Sequence, residues 1–169
     1  MAKILTVFYS LKGETIAPGM KIVNLEKGHT AVAAKFIQEA VGGDIFEIET
    51  VKTYTPDHME MIYEAKEELE KGIRPELKGY PDISGYDTIF IGFPIWWYVA
   101  PTIINTFLDS YDFSGKTIVL FATSGGSGFG NTVKELEGSC PGAILIEGRV
   151  LSSRQSESDL KKWVDSLGY

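Results

Sequence analysis

Three large aromatic side chains, Trp96, Trp97 and Tyr98, stand in a row between two prolines, Pro94 and Pro101. Consecutive aromatic side chains in a loop expose a large apolar surface unless they pack against another group, and a flat ring is a suitable partner for them. Pro101 fits the first turn of a helix, so the segment is short and held at both ends. The segment predicts a site for a planar ligand. The alternative is that a tryptophan packs on a neighbouring helix or fills a subunit interface.

A second segment is rich in glycine and hydroxyl groups and leads into a helix. It reads Thr123-Ser124-Gly125-Gly126-Ser127-Gly128-Phe129-Gly130. Glycines let backbone N–H groups approach a ligand closely, and such groups can donate to carbonyl oxygens at the edge of a ring. Taken alone, the segment is also consistent with a flexible turn or with a site for another anion.

A third set of residues could hold a phosphate group. Ser10 and Lys12 follow the first apolar run, and Gly28, His29 and Thr30 open a helix. Backbone N–H groups at the start of a helix bind anions, hydroxyls add donors, and a lysine adds a full positive charge. We expect this set to hold a phosphate, with Ser10, Lys12 and Thr30 contacting it. The alternative is an ordinary strand-to-helix turn in which Thr30 caps the helix.

Apolar runs of strand length alternate with segments of helical periodicity, which predicts a parallel sheet covered by helices on both faces. The predicted strands are residues 4–9, 44–49, 88–93, 117–123 and 143–147. The predicted helices are residues 30–41, 56–71, 101–110, 131–136 and 157–167. In such an α/β fold the crossovers are right-handed and ligands bind beyond the carboxyl ends of the strands. We therefore expect the three segments, which follow the first, third and fourth strands, to meet at one edge.

The three segments, in this order, resemble the flavodoxin-like superfamily of FMN proteins, and the resemblance covers essentially the whole chain. Residues 94–101 are similar to the Pro-x-x-Trp-x-x-x-Pro segment of its quinone reductase branch, and residues 123–126 to its Thr-[Thr/Ser]-Gly-Gly loop. The resemblance implies a single domain over residues 1–169, with FMN as cofactor. It also implies a three-layer, doubly wound α/β fold whose five-stranded parallel sheet has the order 2-1-3-4-5.

The resemblance implies a role for each segment. The flavin ring is expected against Pro94, Ile95, Trp96, Trp97 and Tyr98, its carbonyl edge against Ser124, Gly125, Gly126 and Ser127, and its phosphate at Ser10, Lys12, Gly28, His29 and Thr30. The family's phosphate loop leads directly into a helix, whereas Pro18 prevents this here. We interpret the stretch between Thr15 and Gly28 as an insertion.

No glycine lies between Gly92 and Gly115, in the stretch that contains the aromatic segment. Electron-carrier flavodoxins use a peptide beside the flavin that can turn over, usually one with glycine, and Pro94 stiffens this segment. We therefore predict an NAD(P)H-dependent two-electron reductase of quinone-like or other small acceptors, with no catalytic side chain required. The alternative is a flavodoxin-type carrier that takes electrons from a protein reductase and passes them to a protein acceptor.

Composition excludes several other classes. The formal net charge of −7 disfavours nucleic acid as a partner, because a phosphate backbone would be repelled. No run could span a membrane, no secretory signal is evident, and one cysteine fits a reducing compartment, so we expect a cytoplasmic protein. We interpret Cys140, in a loop, as an inert thiol. His29 and His58 have no clustered partners, so no metal site is expected.

Two other α/β classes fit less well. A receiver module needs acidic residues after its first strand and an aspartate after its third, where this chain has Tyr9, Ser10 and Pro94. A dinucleotide-binding domain needs Gly-x-Gly-x-x-Gly after the first strand. We interpret the acidic residues 60–70 as the solvated face of a helix, with docking of a basic redox partner as the alternative. Exposed aromatics beside the flavin would also suit a homodimer that shares its pocket.

Overall fold

The computed structural model describes residues 3–9, 13–17, 21–25, 29–49, 63, 66–68, 70–72, 76–94, 102–123, 132–151 and 157–168. The strands are β1 (Ile4–Phe8), β2 (Gly13–Ala17), β3 (Lys21–Leu25), β4 (Asp44–Glu47), β5 (Thr88–Pro94), β6 (Thr117–Thr123) and β7 (Ile144–Leu151). The helices are α1 (His29–Val41), α2 (Thr102–Asp109), α3 (Thr132–Glu137) and α4 (Glu157–Ser166). Residues 63, 66–68, 70 and 71 are also helical.

Five strands form one sheet in the order β4-β1-β5-β6-β7. Each neighbouring pair is parallel, so each consecutive pair of sheet strands needs a crossover. α1 lies in the crossover from β1 to β4, α2 in that from β5 to β6, and α3 in that from β6 to β7. Counted along the chain within this sheet, the order is 2-1-3-4-5, which confirms the predicted fold class.

The apolar core has two parts, one on each face of the sheet. Val7 of β1 packs in the same cluster as Phe107 of α2. Its neighbour Phe8 packs in the other cluster, with Ile37 of α1 and Leu160 of α4. Successive residues of a strand point to opposite faces, so a strand in the middle layer must be apolar on both sides. This explains why the central strands have nearly continuous apolar sequences.

β2 and β3 form a separate antiparallel hairpin, which the sequence analysis did not predict. Its register pairs Gly13 with Leu25 and Ala17 with Lys21. The hairpin occupies most of the expected insertion between Thr15 and the start of α1. The prediction of only five strands was wrong, because Pro18 was interpreted only as a helix breaker and the β-branched residues on either side of it were not interpreted as strands.

β7 runs to Leu151, beyond the predicted end at residue 147. Its register against β6 shifts between Val119 and Phe121, which is an irregularity of the bulge type. Gly148 lies in this stretch, and a Cβ atom added there would stand 1.9 Å from the carbonyl oxygen of Leu120. A glycine usually weakens a strand, which favours an earlier end, but here it allows the backbones to approach and the strand to continue.

The acidic stretch at residues 60–70 is only partly the solvated face that was expected. Glu67 and Glu70 are exposed, and Lys71 Nζ lies 2.6 Å from Glu67 Oε1. Glu68, in contrast, is only 2% exposed and accepts a hydrogen bond of 3.3 Å from Thr102 Oγ1. A carboxylate beside the first residue of α2 is favourable there, since a helix N-terminus carries partial positive charge. The prediction of a fully solvated face was wrong at Glu68.

Candidate functional site

The carboxyl ends of β1, β5 and β6 lie side by side. The register pairs Phe8 with Gly92 and Pro94 with Thr123. Beyond the last residue of β1, the backbone N–H of Tyr9 donates to the carbonyl oxygen of Gly92 at 2.9 Å. The three segments of the sequence analysis begin directly after Tyr9, Pro94 and Thr123. The strand ends that lead into them therefore share one edge of the sheet, which is where an open α/β fold binds ligands.

A side-chain hydrogen bond joins the start of α1 to the end of β6. The hydroxyl oxygens of Thr30 and Thr123 are 2.8 Å apart, and either can be the donor. Thr30 is 2% exposed and Thr123 is 9% exposed. Because a hydroxyl offers one proton and two lone pairs, each group can still make a further hydrogen bond. This pair brings one end of the predicted phosphate site to the strand that leads into the predicted ring-edge segment.

The first turn of α1 is suited to an anion. α1 begins at His29 and has 13 residues, and backbone N–H groups point out of the start of any α-helix. They carry partial positive charge and can donate to a phosphate. The first turn contains no acidic residue that would repel such a group. In a chain with a net charge of −7, this start of a helix is the kind of local compensation that a phosphate needs.

The structure describes three of the residues predicted for the site. His29 and Thr30 open α1, and Pro94 ends β5, where it is half-buried. The other predicted residues lie outside the described part of the chain: Ser10, Lys12, Gly28, Ile95, Trp96, Trp97, Tyr98, Ser124, Gly125, Gly126 and Ser127. Their contacts with a cofactor stay predictions.

Two residues at this edge were absent from the predicted set. Thr123 supplies the partner for Thr30, and the sequence offers only a weak signal for it, a threonine that closes an apolar strand. Gly92 interrupts another apolar strand, and a Cβ atom added there would lie 2.1 Å from Cζ of Phe121. A glycine inside a buried strand often marks a close approach of this kind, so Gly92 could have been found from the sequence.

Cys140 has the surroundings of an inert thiol. It is buried, and its Sγ donates to the carbonyl oxygen of Leu136 at 3.3 Å. Burial raises the pKa of the Cys140 thiol, and the nearby carboxylates of Glu137 and Asp109 raise it further. A thiol with a raised pKa forms little of the nucleophilic thiolate at neutral pH. The environment of Cys140 therefore agrees with its interpretation as an unreactive group.

The described residues show neither a metal-binding cluster nor a membrane-spanning helix. Within them, no three or more histidine, cysteine, aspartate or glutamate side chains come close enough together to hold a metal ion. Likewise, none of the helices in this part of the chain combines the length and the apolar character needed to cross a membrane.

Comparison with known proteins relates this geometry to a family. Residues 23–167 match the family model described as Flavodoxin. A protein from Bacteroides eggerthii assigned to the flavoproteins is 36% identical, with a TM-score of 0.79 over 100% of this chain and 99% of that chain. A second one, from Bacteroides uniformis, is 39% identical, with a TM-score of 0.78 over 97% of this chain and 98% of that chain.

A more distant structure has the same fold. The flavoprotein from Lactobacillus acidophilus NCFM, solved in complex with FMN, is 23% identical, with a TM-score of 0.70 over 97% of this chain and 99% of that chain. Among curated proteins, none matches the chain significantly. Because the family model covers most of the chain and two solved structures above 30% identity span nearly all of it, this chain belongs to the flavodoxin family.

Proposed function

We propose that this protein binds one FMN non-covalently at the carboxyl edge of its sheet and transfers electrons through it. The observation that carries the proposal is that the start of α1 meets this edge, through the 2.8 Å hydrogen bond between Thr30 and Thr123. Membership of the flavodoxin family supports FMN as the cofactor. The Lactobacillus acidophilus flavoprotein of the same fold was solved in complex with FMN.

The described residues suit the phosphate end of FMN. The first turn of α1 offers backbone donors, partial positive charge and no competing carboxylate. Ser10 and Lys12, which follow β1 in the chain, would add a hydroxyl and an ammonium group at the same end. We propose that these groups together bind the phosphate and so fix the position of the whole cofactor.

The ring end belongs to the segments that follow β5 and β6. Residues 95–98 would cover the flavin ring, and residues 124–127 would donate to its carbonyl edge. Pro94 and Thr123 pair in the sheet, so both segments start from fixed and adjacent positions. When bound, FMN supplies the redox chemistry, and the protein binds it, orients it and limits the access of water.

For the reaction, we propose reduction of quinone-like or other small acceptors by two electrons taken from NAD(P)H. The support is Pro94, which ends β5 with a restricted backbone, and the lack of glycine from there to Gly115. The second candidate is an electron carrier between proteins. The net charge of −7 favours it, since an acidic protein attracts basic redox partners. In the described part of the acidic stretch, however, Glu67 and Glu70 are paired with lysines, which weakens that attraction.

Spectroscopy of the purified protein tests the cofactor. We expect a flavin spectrum, and we expect the compound released on denaturation to be FMN. A colourless protein that fails to quench the fluorescence of added FMN would overturn the proposal. Exposed aromatic residues beside the flavin would also suit a homodimer, and sedimentation of the holoprotein tests this.

Stopped-flow kinetics of the holoprotein separate the two reactions. Rapid reduction of the bound flavin by NADH or NADPH, followed by reoxidation with a quinone, supports the reductase. Reduction that is slow with both nucleotides but fast with a protein reductase supports the carrier. The same experiment on Cys140→Ser is the control, because this residue lies outside the proposed site and should leave the rates unchanged.

A further inference from the structure

We propose that Thr30 and Thr123 act as a positioning pair, in which the hydrogen bond between their hydroxyls holds the start of α1 at a fixed place against the end of β6. The pair thereby sets the distance between the phosphate end and the ring end of the cofactor site. This inference rests on the proposed binding of FMN. It adds a second role to the expected contact of Thr30 with the phosphate, since the Thr30 hydroxyl has a partner within the protein.

The contact of the first turns of α1 with the sheet is poorly suited to fix this position. Ala31, Ala33 and Ala34 are the buried apolar residues nearest to Thr30 in α1, and they pack in the same cluster as Phe8 and Phe121. Such packing is non-directional, and the methyl group of alanine is too small to interdigitate with the neighbouring aromatic rings. The first turn of α1 could therefore shift on this surface more easily than the middle of the helix, where the larger Ile37 is fully buried. A directional hydrogen bond at its first turn removes that freedom.

The chemistry of the pair allows Thr123 to prepare Thr30 for the ligand. If Thr123 donates its proton to Thr30 Oγ1, the proton of Thr30 is free to donate to a phosphate oxygen, which can only accept. Without the Thr123 hydroxyl, Thr30 Oγ1 would lose its hydrogen-bond donor in a site that is nearly closed to water. The first turn of α1 would then sample positions that do not bind the phosphate. The apparent affinity for FMN would be reduced in proportion to the fraction of molecules whose first turn is in the binding position.

The test compares two ligands that differ only in the phosphate, FMN and riboflavin. Thr123→Val removes the hydroxyl at nearly constant volume, whereas Thr123→Ser keeps the hydroxyl and removes only the methyl group. For Thr123→Val we expect the Kd of FMN to rise about threefold to tenfold, the effect of one buried hydrogen bond. We expect the Kd of riboflavin, which does not use the first turn of α1, to change by less than about twofold.

Two further variants complete the design. Thr30→Val combined with Thr123→Val should bind FMN no more weakly than Thr30→Val alone, because the two hydroxyls act as one unit. Thr6→Val is the matched control: it removes another buried hydroxyl of the same sheet, one with no hydrogen-bond partner among the described residues. Its affinity for both ligands should equal that of the wild type.

The outcomes separate this inference from the proposed function. If the wild type binds FMN and Thr123→Val binds it equally well, the positioning pair is overturned while FMN binding stands. Equal weakening for FMN and riboflavin, or losses that simply add in the double variant, would also overturn the pair. A Thr123→Ser variant that binds FMN as weakly as Thr123→Val would be a further result against the pair. A wild type that binds neither ligand would overturn the proposed function and this inference with it.

Discussion

Gly92, near the carboxyl end of β5, has no space for a side chain, and Gly92→Ala should therefore destabilise the protein. A Cβ atom at this position would lie 2.1 Å from both Cε2 and Cζ of Phe121 and 2.9 Å from its Cδ2. Non-bonded carbons pack best at about 3.5–4.0 Å. Phe121 pairs with Gly92 in the sheet and is fully buried, so its ring cannot move into solvent. The added methyl group must displace a core side chain.

The size of the effect follows from two opposing contributions. Overpacking a well-filled core costs about 1–3 kcal/mol. Gly92 is not among the glycines with positive φ, so its backbone accepts alanine, and the lower entropy of the unfolded chain contributes about 0.4–1 kcal/mol in favour. We expect Gly92→Ala to lose about 1–2 kcal/mol of unfolding free energy, which lowers Tm by about 2–8 °C for a chain of this size.

Urea unfolding of Gly92→Ala, Phe121→Leu and the double variant measures this contact. Leucine leaves out most of the ring, so the double variant should be no less stable than Phe121→Leu alone. Gly138→Ala is the control, because an added Cβ there meets no atom within 4 Å, and its stability should stay within about 0.5 kcal/mol of the wild type. Losses that add in the double variant, or a Gly92→Ala protein as stable as the wild type, would refute the reasoning.

Three further predictions concern single polar groups. Thr6→Val should stabilise the protein by about 1 kcal/mol in urea unfolding, because the buried Thr6 hydroxyl has no partner among the described residues, and a loss of stability would contradict this. Cys140 should react with a thiol reagent at about pH 8 at least about tenfold more slowly in the native than in the unfolded protein, since burial raises its pKa, and equal rates would show that it is accessible. The backbone N–H of Ser84 donates to Asp82 Oδ1 at 2.9 Å and lowers the pKa of that carboxyl. The charged Asp82 therefore stabilises the folded protein above the ordinary pKa near 4, and this contribution is lost as the pH falls through the lowered pKa. Asp82→Asn should therefore flatten the acid side of the stability profile, and an unchanged slope would argue against the contribution of Asp82.

The layer order and the position of the site could be predicted because they depend on features that repeat along the chain. β5 and β6 are apolar at nearly every position, which a strand needs when helices cover both of its faces. The residues with unusual chemistry stand directly after such strands, and the geometry of parallel sheets places these ends together. Burial and periodicity were therefore sufficient for the layer order and for the edge at which FMN is proposed to bind, whereas the strand order 2-1-3-4-5 was implied by the resemblance to the flavodoxin-like superfamily.

Other features depend on single contacts and leave little trace in the sequence. The pairing of Thr30 with Thr123 joins residues far apart in the chain, and no periodic pattern reports it. Glu68 stands among acidic residues and looks solvated, although it is buried beside Thr102. The hairpin of β2 and β3 had a signal in the β-branched residues on either side of Pro18, but the resemblance to a phosphate loop implies a helix at this position instead.

The hairpin lies in a connection that can change with little effect on the rest of the fold. β2 and β3 pair with each other and, within the described residues, with no strand of the five-stranded sheet. The entropy cost of closing a loop grows only slowly with its length, so the connection between β1 and α1 tolerates gain or loss of a whole structural unit. The length of this connection can therefore change while the core stays as it is.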